Sequence, residues 1–127
     1  MASLNQSSYK NPYDVVAAIL NFYPEDSFRN DREDIHSAFE KLRKKHDIVL
    51  KEFVFRKNLL FPRSKILDEV LSNLQPEYLG KINPTYNTYT IKKNNLKKFW
   101  ELKLNNYYKS NKAEFEKIAK ELYSMIK

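Results

Sequence analysis

Five prolines divide this chain into short segments, and most segments carry apolar residues at helical spacing. Proline is poorly tolerated inside a helix or a central strand because it has no amide hydrogen to donate. Asn11 followed by Pro12 is a favourable helix start, and Pro24 ends that segment. Pro76 ends a later one. The positions of the prolines and the helical spacing of the apolar residues together predict a mainly helical chain.

Three helices are predicted before residue 76. They cover about residues 12–23, 31–46 and 65–75. The second starts at Asn30 or Asp31, and Ser64 is the cap of the third. The second begins with carboxylates and ends with lysine and arginine side chains, the distribution that a helix dipole favours. Each of the three carries one apolar stripe, so each is expected to pack on a common core.

Two segments have the composition of strands instead. Residues 48–55 are rich in β-branched and aromatic side chains, which predicts a strand. Residues 79–82 and 86–91 flank a turn at Asn83 and predict a β-hairpin, with Tyr89 on the side that faces the core.

The rest of the chain, residues 94–126, is predicted to be helical. Two apolar stripes separated by a polar interruption leave open whether one long helix or two helices form. The predicted organisation is a flexible tail (1–10), a domain (11–92) and a C-terminal helical extension (93–127) that packs on the domain or serves dimerisation. At 127 residues the chain suits one core of ordinary size.

Composition limits the function classes. The chain has no cysteine, which excludes disulfides and thiolate metal sites and fits a cytoplasmic location. We expect no signal peptide and no membrane span. His36 and His46 lack metal-ligand spacing, and the only glycine, Gly80, cannot form a phosphate loop. We therefore predict no metal, no cofactor and no enzymatic activity.

Positive charge is concentrated in two tracts. Residues 41–65 hold nine Lys or Arg against two acids, and residues 92–112 hold seven lysines against one acid. Residues 25–40 carry six acids against two arginines. The tracts could provide an electrostatic footprint for phosphates, or the lysines could serve solubility alone. From the first tract, Lys44, Lys45 and Lys57 are candidate phosphate contacts.

The order from residue 64 to 92 resembles the end of a winged-helix domain. "LDEVLSNL" is followed by "EYLGKI" and "PTYNTYTI", a helix with a leucine-rich exit, a glycine and a two-stranded wing. The resemblance implies that the third helix enters a DNA major groove while the wing meets the adjacent backbone. It implies contacts at the helix start and in the wing, at Arg63, Ser64, Lys65, Lys81, Tyr86, Lys92 and Lys93.

Two functions therefore remain as hypotheses. The first is a small DNA-binding regulator that uses these contacts. The second is a protein-interaction or self-association module without nucleic-acid contact, favoured by Asp68 and Glu69, which would repel phosphates. A homodimer seam is a further expectation, through Trp100, Tyr107, Phe115 and Leu122. The same aromatic stripe is more typical of a core than of a dimer seam.

Overall fold

The fold is mainly α-helical, with a small antiparallel sheet and a helical C-terminal part, as the sequence predicts. The computed structural model describes residues 10–57, 60–80 and 83–126, so most of the predicted N-terminal tail lies outside the described residues. The elements in chain order are α1 (Pro12–Phe22), β1 (Ser27–Arg29), α2 (Arg32–Lys45), α3 (Lys65–Asn73), β2 (Thr88–Thr90), α4 (Lys93–Phe99), a π-helical turn (Trp100–Leu104), α5 (Asn105–Tyr108), a 3-10 turn (Lys109–Asn111) and α6 (Lys112–Ile126).

Side-chain caps fix the first three helix starts where the sequence places them. The Asn11 side chain accepts a hydrogen bond from the amide of Tyr13 at 2.9 Å. Asp31 accepts from Asp34 at 3.0 Å, and the Ser64 hydroxyl accepts from an amide of the first turn of α3. Each bond satisfies an amide that has no partner inside its helix, which is why these residue types mark a beginning.

The sheet ties the hairpin to the connection between α1 and α2. β1 and β2 pair antiparallel, with Ser27 opposite Thr90. On the other edge of β2, the Gly80 amide donates to the Thr90 carbonyl at 2.8 Å, and Asn83 is bridged to Thr88. The predicted hairpin is confirmed, although residues 81–82 lie outside the described residues. β1 was not predicted.

The predicted strand over 48–55 is wrong. The segment continues past α2 as helical-type turns, in which the Leu50 amide donates to the carbonyl of His46, four residues earlier, at 2.9 Å. Val49, Leu50 and Phe53 are buried, and this spacing of one and four places them on one side of a helical turn. Burial of that side outweighs the strand preference of the individual residues.

α1 lies at the centre of the molecule. Its residues 15–20 are all buried, and α6, α4 and α3 pack around it. α6 also packs on α2. The C-terminal helices therefore complete the core that α1 begins. The chain changes direction at the 3-10 turn, where Tyr108 leaves helical geometry, so two helical runs form rather than one long helix.

A π-helical turn keeps one face of the first C-terminal run in the core. Leu96, Trp100, Leu104 and Tyr108 are buried at a constant spacing of four. In an α-helix of 3.6 residues per turn this spacing drifts by about 40° at every step. The wider turn at Trp100–Leu104, in which the Asn105 amide reaches back to the carbonyl of Trp100, offsets the drift.

A cluster that we call the carboxylate clamp joins the end of α2 to α6. His46, at the C-cap of α2, is buried between two carboxylates of α6, with Nδ1 2.9 Å from Glu114 and Nε2 2.8 Å from Glu121. Lys45 also reaches Glu121, at 3.0 Å. Carboxylates only accept hydrogen bonds, so each ring nitrogen of His46 faces an acceptor.

Candidate nucleic-acid interface

The site is organised around a buried histidine that joins α2 to the start of α3. The His36 ring is fully buried, and its Nδ1 accepts the backbone amide of Ser64 at 2.9 Å. Nδ1 is therefore unprotonated and the proton is on Nε2, which donates to Asp68 at 2.9 Å. Burial lowers the pKa of His36, although the nearby Asp68 offsets part of this effect. The ring stays neutral.

Asp68, on α3, is shared by two arginines and His36. Both Arg32 nitrogens Nε and Nη2 donate to its two oxygens, a bidentate pair. Arg63 Nε lies 3.6 Å from Asp68 Oδ2. Partial burial alone would raise the pKa of Asp68, but hydrogen bonds from Arg32 and His36 outweigh it and lower that pKa. Asp68 is thus a charge-compensated carboxylate.

Hydrogen bonds of its own backbone fix the position of Arg63. Its amide and carbonyl exchange hydrogen bonds with those of Arg56, at 2.8 and 3.1 Å. The two arginines therefore lie side by side at the base of a loop. With Lys65 and Asp68 they line a cleft of about 300 Å³. We call the set of Arg32, Arg56, Arg63, Lys65 and Asp68 the arginine face.

The arginine face continues toward the sheet. A second cleft, of about 320 Å³, is lined in part by Arg32, His36, Asp68 and Tyr89. Since Asp68 borders both clefts, it separates a pair of arginines near the start of α3 from Arg32 and β2. Helix, loop and hairpin strand contribute to one surface.

The hairpin turn is fixed next to this surface. The Asn83 side chain accepts the amides of Thr85 and Tyr86 at 2.8 and 3.2 Å, a local turn that asparagine favours. Asn87 has a φ of 53°, a left-handed conformation that asparagine tolerates, and its carbonyl accepts the amide of Asn30 at 2.8 Å. Tyr86 is left 74% exposed at the tip.

The predicted contact residues do not all converge. Arg63 and Lys65 come together in the arginine face. Lys44 and Lys45 lie at the opposite end of α2 from Arg32, about 20 Å away at 1.5 Å per residue. Lys57 forms an ion pair with Glu40 at 2.9 Å. The first basic tract is therefore divided between two places.

Lys93 is not placed for phosphate contact. Its ammonium donates to the carbonyls of Leu20, Asn21 and Tyr23, which end α1. A cation suits this end of a helix. Burial lowers the pKa of Lys93, with a smaller opposing effect from Asp26. The lysine is a structural cap, a correction to the prediction.

The remaining wing contacts differ in their positions. Lys92 is exposed at the start of α4, and Lys81 lies outside the described residues. Ser64 is fully buried, with its hydroxyl used as the cap of α3. The cap prediction is confirmed, and burial leaves Ser64 no surface for a phosphate.

The residues predicted for a dimer seam are mostly core. Trp100, Phe115 and Leu122 are buried inside the molecule, so a second copy could reach them only by unpacking the helices. Trp100 and Phe115 contact each other edge to face, with ring centres 6.1 Å apart. Tyr107 is 77% exposed, and it alone of the four keeps a surface for a partner.

Sequence reasoning missed Arg32, Arg56 and His36. Arg32 stands among acids, and its partner Asp68 is 36 residues away. The sequence does place Arg56 and Arg63 within a basic tract, on either side of Pro62, and this was the available indication that they could act together. Nothing local indicates that the two arginines pair through their backbones.

Within the part of the chain that the structure describes, no helix is long and apolar enough to span a membrane. Among the same residues, no group of three His, Asp or Glu side chains is arranged to hold a metal ion. No protein-family model matches the chain, and neither the curated proteins nor the solved structures include a significant match.

Proposed function

We propose that the chain is a small DNA-binding module of winged-helix type, which holds the phosphate backbone on its arginine face. The observation that carries the proposal is the gathering of Arg32, Arg56, Arg63 and Lys65 around one carboxylate beside the hairpin. Arginine presents a planar fork that matches phosphate oxygens. The arrangement of α3, followed by a hairpin next to it, supports the winged-helix resemblance. A cytoplasmic location stays a prediction.

The acids of α3 do not oppose this proposal as strongly as the sequence suggests. Asp68 is paired with Arg32 and lies close to Arg63 and His36, so its charge is compensated within the protein. Glu69 is exposed and does oppose phosphate. Counted as formal charges, the arginine face carries four cations and one anion, a balance of +3.

The outer side of α3 is also accessible. Lys65, Glu69, Ser72 and Asn73 are exposed, and α3 packs on α1 with its opposite side. A polar helix surface next to a cationic cleft can approach a groove while the arginines contact the flanking phosphates. Tyr86 at the hairpin tip would meet the backbone beyond them.

The proposed mechanism is electrostatic anchoring, with α3 and the hairpin setting the orientation. Each phosphate neutralised by an arginine or lysine releases condensed counterions, so affinity falls as salt rises. This contribution of counterion release to the affinity is independent of base sequence. Any base preference would come from the exposed side of α3.

The test is a titration of a labelled duplex at several salt concentrations, with Arg56→Gln/Arg63→Gln as the variant. The backbone bonds between these residues do not need the side chains, so the fold is expected to survive. We expect binding in the micromolar range or tighter. Two lost phosphate contacts should reduce the slope of log K against log salt by roughly 1.8.

Lys44→Gln/Lys45→Gln is the matched control, since it removes the same charge from the far end of α2. Both double variants should be compared by circular dichroism. Equal weakening by the two would mean that net charge alone attracts DNA, and the arginine face would not be the site. Flat titrations for the unmodified protein would contradict DNA binding and favour the protein-interaction module.

A further inference from the structure

A groove on the other helical layer combines exposed apolar and cationic side chains. It has a volume of about 460 Å³ and lies between the segment after α3 and the run from α4 into the π-helical turn. Tyr78 and Phe99 line it and stack on each other with ring centres 4.9 Å apart. Leu102, which is 75% exposed, also lines it. We call it the aromatic groove.

The charges around the aromatic groove are mainly positive. Lys98 and Lys103 line it and are exposed, against one acid, Glu77. The π-helical turn holds Trp100 and Leu104 in the core, and Leu102 lies between them in sequence and points outward. π-turns are frequent at functional sites. The DNA binding proposed for the arginine face does not involve this groove.

We propose that the aromatic groove docks an acidic segment of another protein, one that inserts an apolar side chain between Leu102 and the Tyr78–Phe99 pair. Carboxylates of the segment would pair with Lys98 and Lys103. This is an apolar anchor with a charged rim, the arrangement of many peptide-binding grooves.

Charge complementarity selects an acidic partner over a second copy. A symmetric dimer would place the same patch on both subunits. Residues 92–112 have a balance of +6, so such a dimer would bring two strongly cationic segments together. Like charges across an interface oppose association.

The ring geometry favours a protein segment over single-stranded nucleic acid. Base binding of that kind uses open aromatic faces as stacking platforms. Here Tyr78 and Phe99 are stacked on each other at 12°, and Tyr13 packs against both edge to face. The outward group is the aliphatic Leu102, which binds an apolar side chain by contact area.

The probe is a short fluorescein-labelled helical peptide, rich in glutamate, with leucine and phenylalanine four positions apart. A twin in which lysine replaces glutamate is its control. Fluorescence polarisation should show binding of the acidic peptide only. Leu102→Gln should weaken it about fivefold or more through lost apolar contact, and Lys98→Glu/Lys103→Glu should weaken it further.

Two control variants separate the groove from other surfaces. Leu60→Gln changes a fully exposed leucine elsewhere, and Arg63→Gln changes the arginine face; both should leave peptide binding unchanged. Leu102→Gln should leave duplex binding unchanged, so the failure of either proposal is visible without the other.

Several results would overturn the proposal. They are absence of binding at millimolar peptide, equal binding of the lysine twin, an unchanged affinity in Leu102→Gln, or a loss in Arg63→Gln as large as in Leu102→Gln. Sedimentation that shows a dimer sensitive to Leu102→Gln would assign the groove to a second copy. A single-stranded oligonucleotide that binds and loses affinity in Leu102→Gln would assign it to nucleic acid.

Discussion

His36 in α2 and His46 at its C-cap have opposite kinds of partner at one ring nitrogen. His36 is buried with Nδ1 accepting a backbone amide, so one ring nitrogen must remain without a proton. His46 lies between Glu114 and Glu121, so both of its ring nitrogens face carboxylate acceptors. The two histidines therefore differ in the partner of Nδ1, which is a backbone donor at His36 and a carboxylate at His46.

The His36 region and the carboxylate clamp also join helices in two different ways. The His36 region uses one bond to a backbone group, and that bond fixes Ser64, the N-cap residue of α3. The carboxylate clamp uses side chains alone, near the surface, to join α2 to α6. We expect the first region to tolerate substitution less than the second, because a buried amide without a partner is costly.

The largest effect is expected for His36→Leu. Leucine has a similar volume but cannot accept the Ser64 amide or donate to Asp68. We expect a loss of about 2–4 kcal/mol in the free energy of unfolding, measured by urea denaturation. Lys41→Leu, on the exposed side of α2, is the control and should change stability by no more than about 0.5 kcal/mol. Similar losses in both variants would mean that the His36 bonds contribute little.

The second prediction concerns the pH dependence of stability. Because burial lowers the pKa of His36 in the folded protein from the ordinary 6.5, the unfolded chain takes up a proton that the folded protein does not. Stability should therefore fall as the pH drops below about 6.5, by at most about 1.4 kcal/mol per pH unit for this proton. The fall should end below the folded-state pKa.

His36→Gln isolates this contribution, since it keeps a donor toward Asp68 and does not titrate. Urea unfolding of both proteins between about pH 7.5 and 5.5 avoids the range in which carboxylates titrate. The difference in stability between them should shrink as the pH falls. A constant difference would show that His36 has the same proton affinity in both states.

A smaller effect is expected for His46→Gln, about 1 kcal/mol, because the clamp is partly exposed and its ion pairs are screened. Lys45→Gln should cost about 0.5 kcal/mol or less, since Glu121 keeps its bond to His46. Urea denaturation at neutral pH measures both losses. Nitrogen NMR should show a proton on Nε2 of His36 and none on Nδ1. A proton on Nδ1 would mean that this nitrogen does not accept the Ser64 amide.

The helices could be predicted because their signals are local. Asn11 and Ser64 cap the helices that they were expected to begin, and the cap of the second helix is Asp31, one of its two expected starts. The strand expected over 48–55 does not form, because burial of Val49, Leu50 and Phe53 on one side of a helical turn outweighs the strand preference of β-branched and aromatic residues. β1 was missed because three residues in a polar loop, with only Phe28 buried, carry too short a pattern to detect.

The candidate site was only partly predictable. Arg63 and Lys65 stand at a recognisable helix start within a basic tract. The pairing of Arg32 with Asp68 and of His36 with Ser64 joins residues 36 and 28 positions apart. Such pairs follow from helix packing, which one sequence does not reveal. Because one sequence does not reveal helix packing, the clusters of lysine and arginine could not show that Lys93 caps a helix. They also could not show that Lys44 lies far from Arg63.

Asp68 gives the protein a resident anion within its own cationic surface. Any external anion that approaches Arg32 or Arg63 has to compete with a carboxylate already in place. The affinity for the external anion then depends on the difference in free energy between its ion pair with the arginines and the ion pair that Asp68 already forms. An intramolecular competitor of this kind discourages weak, indiscriminate anions, and it leaves the arginines oriented for a ligand able to displace or bridge it.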